Sequence, residues 1–165
     1  MIKIILDEDY FRSIMFGLQD GLVSTTGVVV GISAGVADQS IIVLASFVAV
    51  SVEASSMAAG EYSSEKAVHQ MDKRHRHKDD LIMGAILMFF SYLLAGLVPI
   101  LPFLFFPIDI ARFLSIGAAL FSLFIVGYLK GKIVKEKAFR SATEMLIIGG
   151  FATVIGLLVG TFLKV

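Results

Sequence analysis

Five long apolar tracts, separated by short polar segments, organise the chain. They run roughly over residues 14–35, 41–62, 81–103, 108–129 and 143–163, each near the roughly 20 helical residues that cross about 30 Å of hydrocarbon. The tracts lack the polar–apolar alternation of a barrel strand, and an open sheet would leave backbone groups unpaired in lipid. The pattern predicts an all-α, multi-pass integral membrane protein with five transmembrane helices. No linker, low-complexity tract or repeat divides residues 1–165, so one compact unit is expected.

Charge then orients the spans. Lys66, Lys73, Arg74, Arg76 and Lys78 lie between the second and third tracts, and Lys130, Lys132, Lys135, Lys137 and Arg140 between the fourth and fifth. The opposite connections, 35–40 and 102–110, carry no Lys or Arg, although Arg112 follows closely. By the positive-inside bias the basic loops face the cytoplasm, which places the N-terminus inside and the C-terminus outside. The opening MIKIILDEDYFRS carries acids before any apolar run. It reads as a short interfacial helix rather than a cleaved signal.

Composition narrows the function. Hydrophobic residues make up 57% of the chain and charged ones only 17%, far from a soluble domain. A formal net charge of zero leaves no basic surface for nucleic acid. With no cysteine there are no disulfides, thiolate metal sites or cysteine catalysis. No histidine falls within a tract and no H-E-x-x-H occurs, so an intramembrane enzyme ranks last among the functions considered.

The polar residues inside the tracts carry the candidate chemistry. Asp20 lies well inside the first tract, where an unpaired carboxylate is penalised by roughly 2.5 to 3.5 kcal/mol on insertion scales. Ser24, Gly27 and Gly31 follow it at helical offsets and form a small, polar stripe. Gly17 with Gly21, and Gly27 with Gly31 and Gly35, are spaced four apart, which lets another helix approach closely at a dimer or bundle seam. On the second tract Glu53, Met57, Glu61, Glu65 and His69 recur every fourth residue, a row that drifts slowly around the helix. Glu53 and Met57 fall in the apolar part, and the rest on a cytoplasmic extension. Carboxylate, imidazole and thioether together suit a first-row divalent metal such as Fe²⁺ or Mn²⁺ better than Ca²⁺ or Mg²⁺. The bland alternative for Glu61, Glu65 and His69 is a solvated helix face.

The remaining polar features have structural readings. In HQMDKRHRHKDD, cations alternate with His75 and His77 and oppose metal binding, so topology and lipid-headgroup contact are expected, with capture by Asp72, Asp79 or Asp80 a lesser alternative. Pro99 and Pro102 should kink or end the third helix. Glu144 should open the fifth, where an acid suits a helix N-terminus.

The motifs DGLVSTTGVVVGISAG, SSMAAGEYSSEKA, SYLLAGLVPILPFLF and GYLKGKIVKEKAFRSATEMLIIGG together resemble the vacuolar iron transporter family, in order and over nearly the whole chain. The resemblance implies a five-helix homodimer with the ion path between subunits, exchanging cytosolic Fe²⁺, and often Mn²⁺, for protons. The metal is cargo, with no permanent cofactor, and the membrane is that of the cell in a prokaryote or of a vacuole-like organelle otherwise. Asp20 matches the family's acid in D-G-L, assigned to metal and proton translocation, and Met57 and Glu61 match M-A-A-G-E-Y. Glu53 is not a fixed feature of that pattern and rests on its own position in the span. The long Glu- and Met-rich segment of characterised members is missing between the second and third tracts, so metal capture falls to Glu61, Glu65 and His69. Proton-coupled export competes with a metal-binding scaffold or sensor and with a uniporter.

Overall fold

The computed structural model describes residues 8–71 and 80–163. It contains five helices long and apolar enough to cross a membrane. They are α1 (Glu8–Gly35), α2 (Gln39–Met71), α3 (Leu81–Ile100), α5 (Ile108–Ile133) and α6 (Ala138–Phe162), with a single-turn helix α4 (Pro102–Phe105) between α3 and α5. The described residues contain no strand. The protein is an all-helical, multi-pass integral membrane protein.

Two boundaries differ from the sequence expectation, and the expected N-terminal interfacial helix lies partly outside the described residues. From Glu8 onward the chain is already α1, with Glu8 and Asp9 in its first turn. Neither Gly nor Pro interrupts residues 8–16, and acids in a first turn interact favourably with the helix dipole. The third tract ends at Ile100 rather than near 103, with Pro99 inside the last turn and Pro102 opening α4. A proline suits that opening, since its missing N–H is one the first turn leaves unpaired anyway. The last helix begins at Ala138, so Glu144 sits beyond its first turn and accepts from Arg140 (3.1 Å) in an exposed pair instead of opening the span.

α1 is the most buried of the five spans and touches each of the other four. Its glycines explain how. A Cβ on Gly17 would lie 2.9 Å from the Met88 carbonyl oxygen of α3, and one on Gly21 would meet the Tyr92 backbone. Further along, a Cβ on Gly31 would lie 2.7 Å from the Gly156 carbonyl oxygen of α6, and one on Gly27 3.3 Å from that of Ala152. Bare glycine backbone on α1, met by Gly156 on α6, lets the helices approach this closely, which in lipid gives contact where no hydrophobic drive exists. The stripe read as a dimer or bundle seam thus lies at helix contacts within one chain.

Each end of the bundle has its own ties. Arg112 of α5 donates to Ser33 Oγ (2.9 Å) and to the Ser33 carbonyl near the end of α1, and Gln39 donates to the Phe103 carbonyl (2.6 Å). At the opposite end the Asp80 carboxylate caps α3 by accepting from the Ile82 N–H (2.9 Å), while its own N–H donates to the Tyr10 hydroxyl of α1 (2.9 Å). The turn from α5 to α6 closes with the Glu136 N–H on the Gly131 carbonyl (2.8 Å) and Lys135 at φ 60°, a helix stop that usually takes glycine.

Candidate functional site

The site is built on the middle turns of α1, α2 and α3. On α1, Ser24 lies one turn beyond Asp20 and donates its hydroxyl proton to Asp20 Oδ1 (2.8 Å). Asp20 borders a small pocket with Phe16, Gln19 and Val23 of its own helix and Ile148 of α6. A neutral hydroxyl therefore solvates the carboxylate at part of its surface, and the pocket leaves another part open.

On α2, Glu53 accepts at Oε2 from the Tyr92 hydroxyl of α3 (2.6 Å). Tyr92 is 1% exposed, and a phenol so buried needs an acceptor that lipid cannot give. Met57, one turn along α2 from Glu53, packs on the cluster of Val50, Ala54, Tyr92 and Ile100. Gly21, next to Asp20 on α1, lies against the Tyr92 backbone. Glu53 and Met57 thus meet at Tyr92, and the Asp20–Ser24 pair lies on α1, whose Gly21 packs on the same tyrosine's backbone.

Sequence reasoning missed Tyr92. The available signal was a phenol in the interior of the apolar third tract, which must find a polar partner on another helix.

The outer part of the acidic row has different surroundings. Glu65, which lies on the extension of α2 past the apolar tract, is only 8% exposed. It forms a close ion pair with Arg12 of α1, whose guanidinium also reaches Glu61 (3.5 Å) and Asp9 (3.7 Å). Ser13, buried, donates to Glu61 through a short hydrogen bond. In place of the solvated face weighed as the alternative, an acid pair is held against α1, and Arg12 and Ser13 were the partners the periodicity of α2 could not reveal. His69 is half-buried one turn further out. Asp80, a lesser candidate, is the cap of α3, while Asp72, His75, His77 and Asp79 lie outside the described residues.

Among the described residues no three of His, Asp and Glu lie close enough together to hold one metal ion. The row on α2 is thus divided. Its inner part accepts a hydroxyl from α3, and its outer part meets a guanidinium and a hydroxyl of α1.

The chain is similar to several known proteins. An uncharacterised protein of Methanocaldococcus jannaschii is 29% identical over 94% of this chain and 90% of its own length. Vacuolar iron transporter homolog 1 of Arabidopsis thaliana is 29% identical over 88% of this chain and 79% of its own. Vacuolar iron transporter 1 of Oryza sativa subsp. japonica is 37% identical over 73 residues, which are 44% of this chain and 29% of that protein. A model of the VIT family matches residues 11–83 and 69–161, and the chain belongs to that family.

Proposed function

We propose that the chain is a transporter of divalent metal, carrying Fe²⁺, with Mn²⁺ as a second substrate, out of the cytosol in exchange for protons. One observation carries the reading: two carboxylates and a thioether lie in the middle of the bundle with hydroxyl partners and, among the described residues, no basic side chain paired to them. A carboxylate inside a span without a resident cation is costly, which is the usual mark of an ion or proton path. Relatives named as iron transporters supply the metal.

Residues 1–165 act as one transporter domain, with the N-terminus inside and the C-terminus outside, as the basic residues near the α2–α3 and α5–α6 ends support. The ligand set within one chain is incomplete, which favours a homodimer in which a second copy adds its own Asp20 and Met57 to the path. Glu61, Glu65 and His69 collect metal at the cytoplasmic mouth.

Carboxylates must lose protons to bind metal, so metal on one side competes with acid on that side. In liposomes with an acidic lumen and the cytoplasmic face outward, Fe²⁺ uptake should accelerate and the lumen should become more alkaline as metal enters. A protonophore should slow the accumulation. Uptake indifferent to the gradient would make the protein a uniporter. Binding without uptake would make it a scaffold or sensor.

A further inference from the structure

A groove of about 430 Å³ lies between α2 and α3, where α2 leaves its apolar tract and α3 begins. None of the acids lines it. Small side chains make the recess: Ala58 and Ala59 of α2 and Ala85 of α3 stand beside the rings of Tyr62, Phe89 and Phe90. Along α3 it extends from Ile82 to Phe90, about 12 Å of helix rise. Ala59, Tyr62 and Phe90 are exposed, so the groove opens outward from the bundle, which for two membrane-spanning helices is toward lipid.

The outer end of the groove is polar. Ser63 lines it there, and Lys66, one turn beyond Tyr62, holds its ammonium 5.7 Å from the centroid of the Tyr62 ring. A cation at that range is attracted by the ring's quadrupole. Among the described residues Lys66 pairs with no carboxylate, and its neighbour Glu65 is taken by Arg12. The ammonium keeps three donors and a full charge with no anion matched to them.

We propose that this groove binds an anionic phospholipid, with an acyl chain lying along Ala59, Ala85 and Phe90 and the phosphate meeting Lys66 and the Ser63 hydroxyl. Apolar walls alone would not select a lipid, since a hydrocarbon tail gains little by leaving other tails. The recess adds contact with two helices at once, which a smooth helix face cannot give. Selection comes from the polar end. A headgroup of net negative charge complements the unpaired ammonium, whereas a zwitterionic one brings a cation that competes with it. Phe89 borders the groove and also packs on the cluster of Val50, Ala54, Tyr92 and Ile100, as Met57 does. A chain bound here therefore bears on the packing of the candidate site, yet the lipid site stands whether or not the protein carries metal.

The full chain contains no tryptophan, so Phe90→Trp places a single reporter in the groove wall. Its quenching by brominated lipids is measured in bilayers of phosphatidylcholine, with Phe121→Trp on an exposed position of α5 as the comparison. Brominated phosphatidylglycerol should bind at the Phe90→Trp reporter about fivefold more strongly than brominated phosphatidylcholine, the scale of one lysine at a membrane surface. The two lipids should be nearly equal at Phe121→Trp, and the preference in the groove should shrink with salt.

Adding Lys66→Gln should abolish the preference. Adding Ala59→Leu, an exposed position whose larger side chain fills the recess, should abolish it with Lys66 still present. Equal preference at both reporters, or a preference that survives Lys66→Gln, would overturn the site. Survival in Ala59→Leu would mean that a surface charge attracts headgroups without the groove, and would overturn it too. If neither lipid quenches Phe90→Trp while both quench Phe121→Trp, a second copy of the chain covers the groove and the lipid proposal fails. Ile86→Trp, also exposed and lining the groove, gives the same comparison should Phe90→Trp not insert.

Discussion

Glu53 and Glu61 lie on the same face of one helix, eight residues or about 12 Å apart, yet their partners differ in kind. Glu53 accepts from a neutral phenol buried in the bundle. Glu61 and its neighbour Glu65 face a guanidinium that is itself 54% exposed in its side chain. A hydroxyl orients a carboxylate without cancelling its charge. A guanidinium supplies the opposite charge outright and already occupies the place a metal would take. Two acids of a single row on α2 therefore meet different partners. The charge of the inner acid is left uncancelled by its phenol, and the outer pair faces an opposite charge.

That contrast is broken most directly at its inner end. Asp20→Asn keeps the size of the side chain and its acceptor for Ser24 while losing the charge, so the protein should insert as before and metal flux should fall to the level of empty liposomes. Wild-type flux in this variant would remove Asp20 from the path. A smaller effect is expected at Met57. Met57→Leu conserves volume where Met57 packs against the Tyr92 cluster, so stability should change by less than about 1.5 kcal/mol. Fe²⁺ transport should weaken by about tenfold, the low end for a disturbed ligand set, and the loss should exceed that for Mn²⁺, which has less preference for a thioether. Equal flux for both metals would return Met57 to packing.

Much of this was legible in the chain because lipid reduces the choices. Span number and helix class followed from tract length alone, since α-helices satisfy their backbone groups internally. Asp20, Ser24, Glu53 and Met57 were legible as polar or soft residues in apolar surroundings, and the structure pairs Ser24 with Asp20 and sets Glu53 and Met57 against Tyr92. Tyr92 itself was not found, because a hydrogen bond between α2 and α3 depends on how the helices are rotated, and a period within one helix carries no such information. Arg12 was hidden for the same reason. It sits 49 residues from Glu61 in sequence, and only the packing of α1 on α2 joins them. The early start of α6 was missed because apolarity marks where lipid begins, whereas a helix continues into water until a turn stops it. Lys135 and Glu136 make that stop just before it.

The outer end of the contrast is the place for the smallest and most discriminating change. Arg12→Gln keeps length and hydrogen-bonding capacity at the mouth of the bundle and removes the positive charge from Glu61 and Glu65, whose side chains are only 11% and 10% exposed. If Arg12 is the tethered cation that metal displaces, its loss leaves two nearby carboxylates seeking a counter-ion. The metal concentration for half-maximal flux should then fall about two- to fivefold, the scale expected when one partly exposed ion pair is removed. The gain should shrink as salt screens the mouth and as acid competes with metal for the freed carboxylates. Flux at saturating metal should stay near the wild-type level, because the inner acids are untouched. A variant whose half-saturation rises instead would show that the ion pair orders the mouth for capture, and one unchanged in either direction would mean that Arg12 only fastens α1 to α2. In the first case the outer cluster remains a collecting site of a different design; in the second the contrast between the two acid groups reduces to transport chemistry at the centre and helix packing at the end.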